Sequence, residues 1–164
     1  MLTISTPEKL SDPVAMPVPQ DSGKLSSDAS LAEMWQRIES FPIDNPEAEQ
    51  PFSYVLVQEM GWDEAFTQLA ILEYRKFMLL CNLYPQAMTP SVHIDTVWHL
   101  HLLYTRNYHK FCAEALGCNY LHHEPSKGGP IEDQIFTDFY AATLEKYVEI
   151  FGAVPPESIW GRRV

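Results

Sequence analysis

All six histidines of the chain fall between His93 and His123. Imidazole is the commonest side-chain ligand for zinc, copper, nickel and iron, so its confinement to one stretch points to metal chemistry. Spacing restricts which of these rings share an ion. On a helix, Asp95 and His99 stand four residues apart and offer two donors from one face. At about 100° per residue, Leu102, Arg106 and His109 continue that face, whereas His101 points about 160° away from His99. A third donor must come from outside the helix. His122 and His123, followed by Glu124, lie on a segment able to fold back. One carboxylate with two imidazoles leaves coordination positions open, the pattern of catalytic Zn²⁺ and Fe²⁺ sites. The expected ligands are Asp95, His99 and His123, with His101 or His122 as substitutes and zinc or iron as the divalent metal.

A second reading uses the same residues without a metal. Asp95 hydrogen-bonds His99 and fixes its tautomer, His101 is buried among Leu100, Leu102, Leu103 and Tyr104, and His122 and His123 tie their loop to the helix. No C-x-x-C or H-E-x-x-H spacing decides between the two. Around the cluster, His101, Tyr108 and Trp98 are expected to support the ligands. Arg106 or Lys127 is expected to hold an anionic group of a small-molecule substrate. Lys127-Gly128-Gly129 lacks Walker spacing, and no G-x-S-x-G motif is present. Cys81, Cys112 and Cys118 are odd in number and match no metal or redox spacing, so buried thiols are expected.

The elements that must position these groups are helical. Leu31, Met34, Trp35 and Ile38 recur at i, i+3, i+4 and i+7, with Asp28 or Ser30 as cap and Phe41-Pro42 as stop. A short helix over Phe52–Met60 turns Phe52, Val55, Leu56 and Met60 inward and closes at Gly61. A long one runs from about Asp63 to Tyr84 and halts at Pro85. Thr89-Pro90 opens a helix expected to continue unbroken to Leu116, with Gly117 as left-handed stop. A loop over Cys118–Pro130 leads to a final helix over about Glu132–Phe151, its stripe formed by Phe136, Phe139, Tyr140, Leu144, Tyr147 and Phe151. Period-2 alternation is absent. These signals predict an all-α, single-domain bundle of four to five helices over residues 28–164. Residues 1–27, with Pro7, Pro13, Pro17 and Pro19 among polar residues, are expected to form a disordered tail.

The balance of 11 basic against 22 acidic residues gives a net charge of −11. That field repels phosphate backbones and anionic bilayers, which argues against nucleic-acid and membrane binding and favours cations or a basic protein partner. No leader pattern and no long apolar run is present, and the unpaired cysteines suit a reducing compartment, so a cytoplasmic protein is expected.

The stretches "TPSVHIDTVWHLHLLYTRNYHKFC", "LGCNYLHHEPSKGG" and "YAATLEKYVEIFGAVPPESIW" together resemble the bacterial branch of the glycine-rich-domain-containing-protein-like family. The likeness rests on D-x-V-W-H-x-H, a following tyrosine and H-H-x-P-x-x-G-G, and covers about Phe52 to Trp160. It implies a helical domain of unsettled activity, with Asp95, Trp98, His99, His101, Tyr108 and His123 on the motif positions. The glycine-rich extension of plant members has no counterpart here. Two functions are expected from the whole: a metal-binding domain acting as a small metalloenzyme, or a non-enzymatic interaction module whose acidic surface or Trp160-containing tail docks a protein partner.

Overall fold

The computed structural model describes residues 28–45, 47–85, 88–124 and 126–164. The tail expected over residues 1–27 lies outside the described residues. The described chain is all-α: apart from one isolated bridge between Ser91 and Arg163, it holds no strand.

The first helix, α1 (Asp28–Ser40), buries Met34 and Ile38. Its C-terminal end meets a cation from another helix: the Arg75 guanidinium donates to the Ile38 carbonyl at 2.5 Å and the Phe41 carbonyl at 2.8 Å. A positive group at a helix C-terminus satisfies carbonyls that have no partner within the helix and complements the dipole. The next, α2 (Phe52–Met60), ends at Gly61, whose φ of 67° is the left-handed cap conformation. Phe52 and Leu56 are buried, but Met60 is 43 % exposed and does not join the core face that its spacing suggests.

The central element is α3 (Glu64–Leu83), capped by the Asp63 carboxylate, which accepts from the Phe66 N–H at 2.7 Å. It packs against α1, α2 and most of the helical elements named below. Its residues from Phe77 to Cys81 are buried on all sides. A helix surrounded by neighbours loses the amphipathic signature of a surface helix, which is why its buried set is wider than one stripe.

The long fourth helix expected from Pro90 to Leu116 is three pieces. Ser91, not Thr89, caps α4 (Val92–Leu103), accepting from the Ile94 N–H at 3.3 Å. Thr89 is buried instead, its N–H donating to Thr143 Oγ1 at 3.0 Å. The helix breaks at Tyr104, whose ψ of 56° departs from helical backbone, and α5 (Thr105–Lys110) starts in a new direction. A π-helical turn over Phe111–Leu116 follows, stopped by Gly117 at φ 72°. Neither proline nor glycine marks the break. Tertiary packing sets it, with the Tyr104 ring edge-on to Phe52 at 5.4 Å.

After the loop, α6 (Pro130–Phe151) begins with proline in its first turn and ends at Gly152, and α7 (Glu157–Trp160) is a single turn. These make seven helices among the described residues, where the sequence predicts four to five. The extra ones are the products of the Tyr104 break and of the short tail.

That tail is locked in place. Trp160 is buried, its indole N–H donating to Glu73 Oε2 at 2.8 Å, and Tyr140 donates to its carbonyl. Glu73 is itself buried and also holds the Lys76 ammonium at 2.7 Å and the Tyr147 hydroxyl at 3.2 Å. Trp160 is therefore not free to dock a partner. Removing the Glu73 carboxylate strands donors on α3, α6 and α7 together. Glu73→Ala is expected to lower unfolding free energy by about 2–4 kcal/mol, with Glu73→Gln losing less. Urea titration checks this, and a loss below about 1 kcal/mol for Glu73→Ala would contradict it.

Candidate metal centre

The first turn of α4 presents Asp95, and the next turn presents His99 on the same side. Asp95 Oδ2 lies 3.4 Å from His99 Nδ1. The third group arrives from the strap that follows Gly117. His123 Nε2 stands 2.9 Å from Asp95 Oδ1 and 2.9 Å from His99 Nε2. One donor atom from each of the three residues lies within 4.8 Å of the other two. The Asp95 and His123 side chains are each 15 % exposed, whereas that of His99 is 60 % exposed.

The strap is held by a chain of buried contacts. The His123 ring stacks on Trp98, centroids 4.2 Å apart and planes inclined by 12°. Trp98 donates its indole N–H to the Tyr108 hydroxyl at 3.0 Å, and Tyr108 donates to the Leu121 carbonyl at 2.5 Å. Tyr108 is fully buried, and burial pushes its hydroxyl well above the usual phenol range, so it stays protonated as a donor. Trp98 on α4 and Tyr108 on α5 thus fix both ends of the segment that delivers His123.

His101 does not belong to this group. Its ring is buried on the opposite side of α4, as the 160° offset requires. Both ring nitrogens are engaged: Nδ1 with the Tyr74 hydroxyl at 2.8 Å and Nε2 with Asn107 Oδ1 at 2.8 Å. Asn107 donates its amide N–H to the Pro42 carbonyl at 3.0 Å, which assigns Oδ1 toward His101. Nε2 then carries the proton and Nδ1 accepts from Tyr74. The substitution of His101 for a ligand is excluded because it has no lone pair left to offer.

His122 points outward and lies against Tyr120, ring centroids 4.8 Å apart. Adjacent residues on an extended strap face opposite ways, so only His123 reaches the group. Arg106 falls beyond the Tyr104 break, where it lines a shallow hollow with Thr105, His109 and Lys110, away from Asp95 and His99. Lys127 is exposed on the loop before α6. His93 packs edge-on to Trp62 and Phe66. Tyr74 and Asn107, the partners of His101, carry no spacing signal in the sequence, because their roles come from contacts across helices.

Donors bound to one ion at 2.0–2.2 Å stand about 3–3.5 Å apart. With one donor atom from each residue the three lie within 4.8 Å, so a small adjustment of His99, which faces Asp95 with Nδ1 and His123 with Nε2, brings them around one ion. Two imidazoles and one carboxylate form a donor set that zinc and ferrous iron accept. The exposed His99 borders a groove of about 580 Å³ lined mainly by Leu56, Met60, Leu100, Leu102 and Leu103, with Glu59 and Thr96.

Comparison with protein families decides the relationship. A model of the UCP032817-like family matches residues 49–132. The chain belongs to the UCP032817-like family. That family is uncharacterised, and the matched span contains Asp95, Trp98, His99, His101, Tyr108 and His123. No curated protein and no solved structure matches the chain. Among the described residues, no helix is long and apolar enough to cross a membrane.

Burial lowers the His101 imidazole from its ordinary value to about 4. The unfolded ring titrates near 6.5, so the unfolded state takes up the proton first as pH falls. The stability that neutral His101 contributes is complete above about pH 6.5 and is lost toward pH 4, about 3 kcal/mol in all. Urea midpoints in the presence of a chelator should fall across this range, with a shallower fall in His101→Gln. An identical pH profile in both proteins would contradict the assignment.

Proposed function

We propose that this chain is a metal-binding helical domain, a small metalloenzyme in which Asp95, His99 and His123 hold one divalent ion, zinc or iron. The convergence of His123 from the strap onto Asp95 and His99 from the helix, with one donor atom of each residue within 4.8 Å of the others, carries this reading. Three protein ligands leave room for water or substrate on the exposed His99 side. The groove beside His99 supplies the space, and its lining fits an apolar substrate better than an anionic one. Neither Arg106 nor Lys127 lies in that lining, which removes the support for anion recognition there. We place the protein in the cytoplasm on its unpaired cysteines, and without nucleic-acid or membrane partners on its charge of −11. The resemblance to glycine-rich-domain-containing proteins is part of the same proposal.

A second reading rests on one observation: His123 Nε2 lies 2.9 Å from both Asp95 Oδ1 and His99 Nε2, so that a proton on it would tie the strap to α4 without a metal. In that case the domain is a non-enzymatic interaction module.

Metal content separates the two. Untagged protein should carry about one zinc or iron per chain, and metal at 100 times Kd should stabilise the fold by about 2.7 kcal/mol over the chelated form. His99→Ala and His123→Ala should each lose most of the bound metal, while His122→Ala retains it. Undiminished stoichiometry in both His99→Ala and His123→Ala would overturn the metal reading.

A further inference from the structure

Cys112 and Cys118 meet at the start of the strap, although they stand six positions apart in sequence. The π-helical turn widens the coil, and Gly117 at φ 72° reverses the chain immediately after it. As a result the Cys118 N–H donates to the Cys112 carbonyl at 2.9 Å. A direct backbone hydrogen bond between two residues brings their Cα atoms to about 5–6 Å, within the range that a disulfide spans. The two thiols also act on each other, since Cys118 and the Leu121 backbone both hold the Cys112 thiol below its ordinary value. Cys112 is fully buried, Cys118 is half-buried, and Cys81 is buried elsewhere in α3.

We propose that Cys112 and Cys118 form a redox-active dithiol that closes reversibly to a disulfide under peroxide, whether or not the triad holds a metal. Geometry divides the roles. Cys118 is the sulfur that a small oxidant can reach, and Cys112 is the sulfur that resolves. The contact from Cys118, opposed by burial and reinforced by the Leu121 backbone, draws the Cys112 thiol down to about 7, and the same contact pushes Cys118 up. Cys112 is thus the pair's proton acceptor at neutral pH.

In the first step the Cys118 sulfur attacks one peroxide oxygen as its proton passes to the Cys112 thiolate. The O–O bond breaks, hydroxide leaves, and Cys118 becomes a sulfenic acid. In the second step the Cys112 sulfur attacks Cys118 Sγ. The S–S bond forms, the S–O bond breaks, and the Cys112 proton leaves with the oxygen as water. Two sulfurs have together lost two electrons and the peroxide has gained them. Closure fixes the start of the strap that ends in His123, and thiols or a dithiol reductase would reopen it.

The sequence provides a clean readout. Cleavage after Lys110 and Lys127 releases one peptide, residues 111–127, that contains both cysteines and no other cleavage site for trypsin. The reduced full chain is treated with hydrogen peroxide at pH 7 with chelator present, then denatured, alkylated and digested. The expected peptide is two hydrogens lighter than its reduced form, unalkylated, and restored by dithiothreitol, while Cys81 is fully alkylated. Cys112→Ser should slow Cys118 oxidation about tenfold and stop it at oxygenated sulfur. Cys118→Ala should leave Cys112 alkylatable throughout. A doubly alkylated 111–127 peptide at peroxide levels that oxidise glutathione would overturn the proposal. So would Cys112 oxidation at the wild-type rate in Cys118→Ala.

Discussion

The candidate site depends on one buried hydroxyl. Tyr108 accepts from the Trp98 indole and donates to the Leu121 carbonyl, so a single oxygen joins α4, α5 and the strap. A buried hydroxyl left without partners costs about 1–3 kcal/mol, which makes the three-way arrangement strongly preferred over any in which one element drifts. Its consequence is positional. With Trp98 fixed, its indole face becomes the platform for the His123 ring, and with Leu121 fixed, the chain reaches that platform two residues later. Asp95 and His99 meet His123 because the protein interior, not the surface, dictates where the strap runs.

That interior is organised by four consecutive residues of α3. Glu73 ties down Trp160 of α7, Tyr74 bonds His101 of α4, Arg75 closes the end of α1, and Lys76 reaches Tyr147 of α6. Steps of 100° carry four successive side chains around the whole helix circumference, so one turn of backbone speaks to four neighbours. A polar contact on every side specifies both the rotation of α3 and its height against each partner. Apolar packing alone would leave such register softer. The bond from Tyr74 to His101 sets the rotation of α4, and this rotation turns Asp95 and His99 outward.

Much of the fold was legible because helix signals are local. Periodicity and capping locate α1, α2, α3 and α6 to within a few residues, and the 100° rule alone separates His101 from His99. The break at Tyr104 was not legible, since it has no proline or glycine and arises from packing against Phe52. Arg106 and His109 share the face of Asp95 and His99 only in an unbroken helix. The choice between His122 and His123 hinged on the direction of a strap set by Tyr108 and Trp98, a long-range contact. The approach of Cys118 to Cys112 has a partial signal in Gly117, which marks a reversal, but the π-helical turn that brings the two backbones together has no sequence signature. The sequence offers Trp160 as part of a partner-docking tail, because its actual partner Glu73 looks like an ordinary acidic position.

The central claim concerns where an ion sits, and anomalous diffraction at the zinc absorption edge from crystals grown with zinc addresses it directly. The account predicts one strong peak per chain, about 2.0–2.2 Å from an Asp95 carboxylate oxygen and from a ring nitrogen of both His99 and His123, with a solvent position open on the His99 side. A peak elsewhere, or none at this triad under saturating zinc, would contradict it.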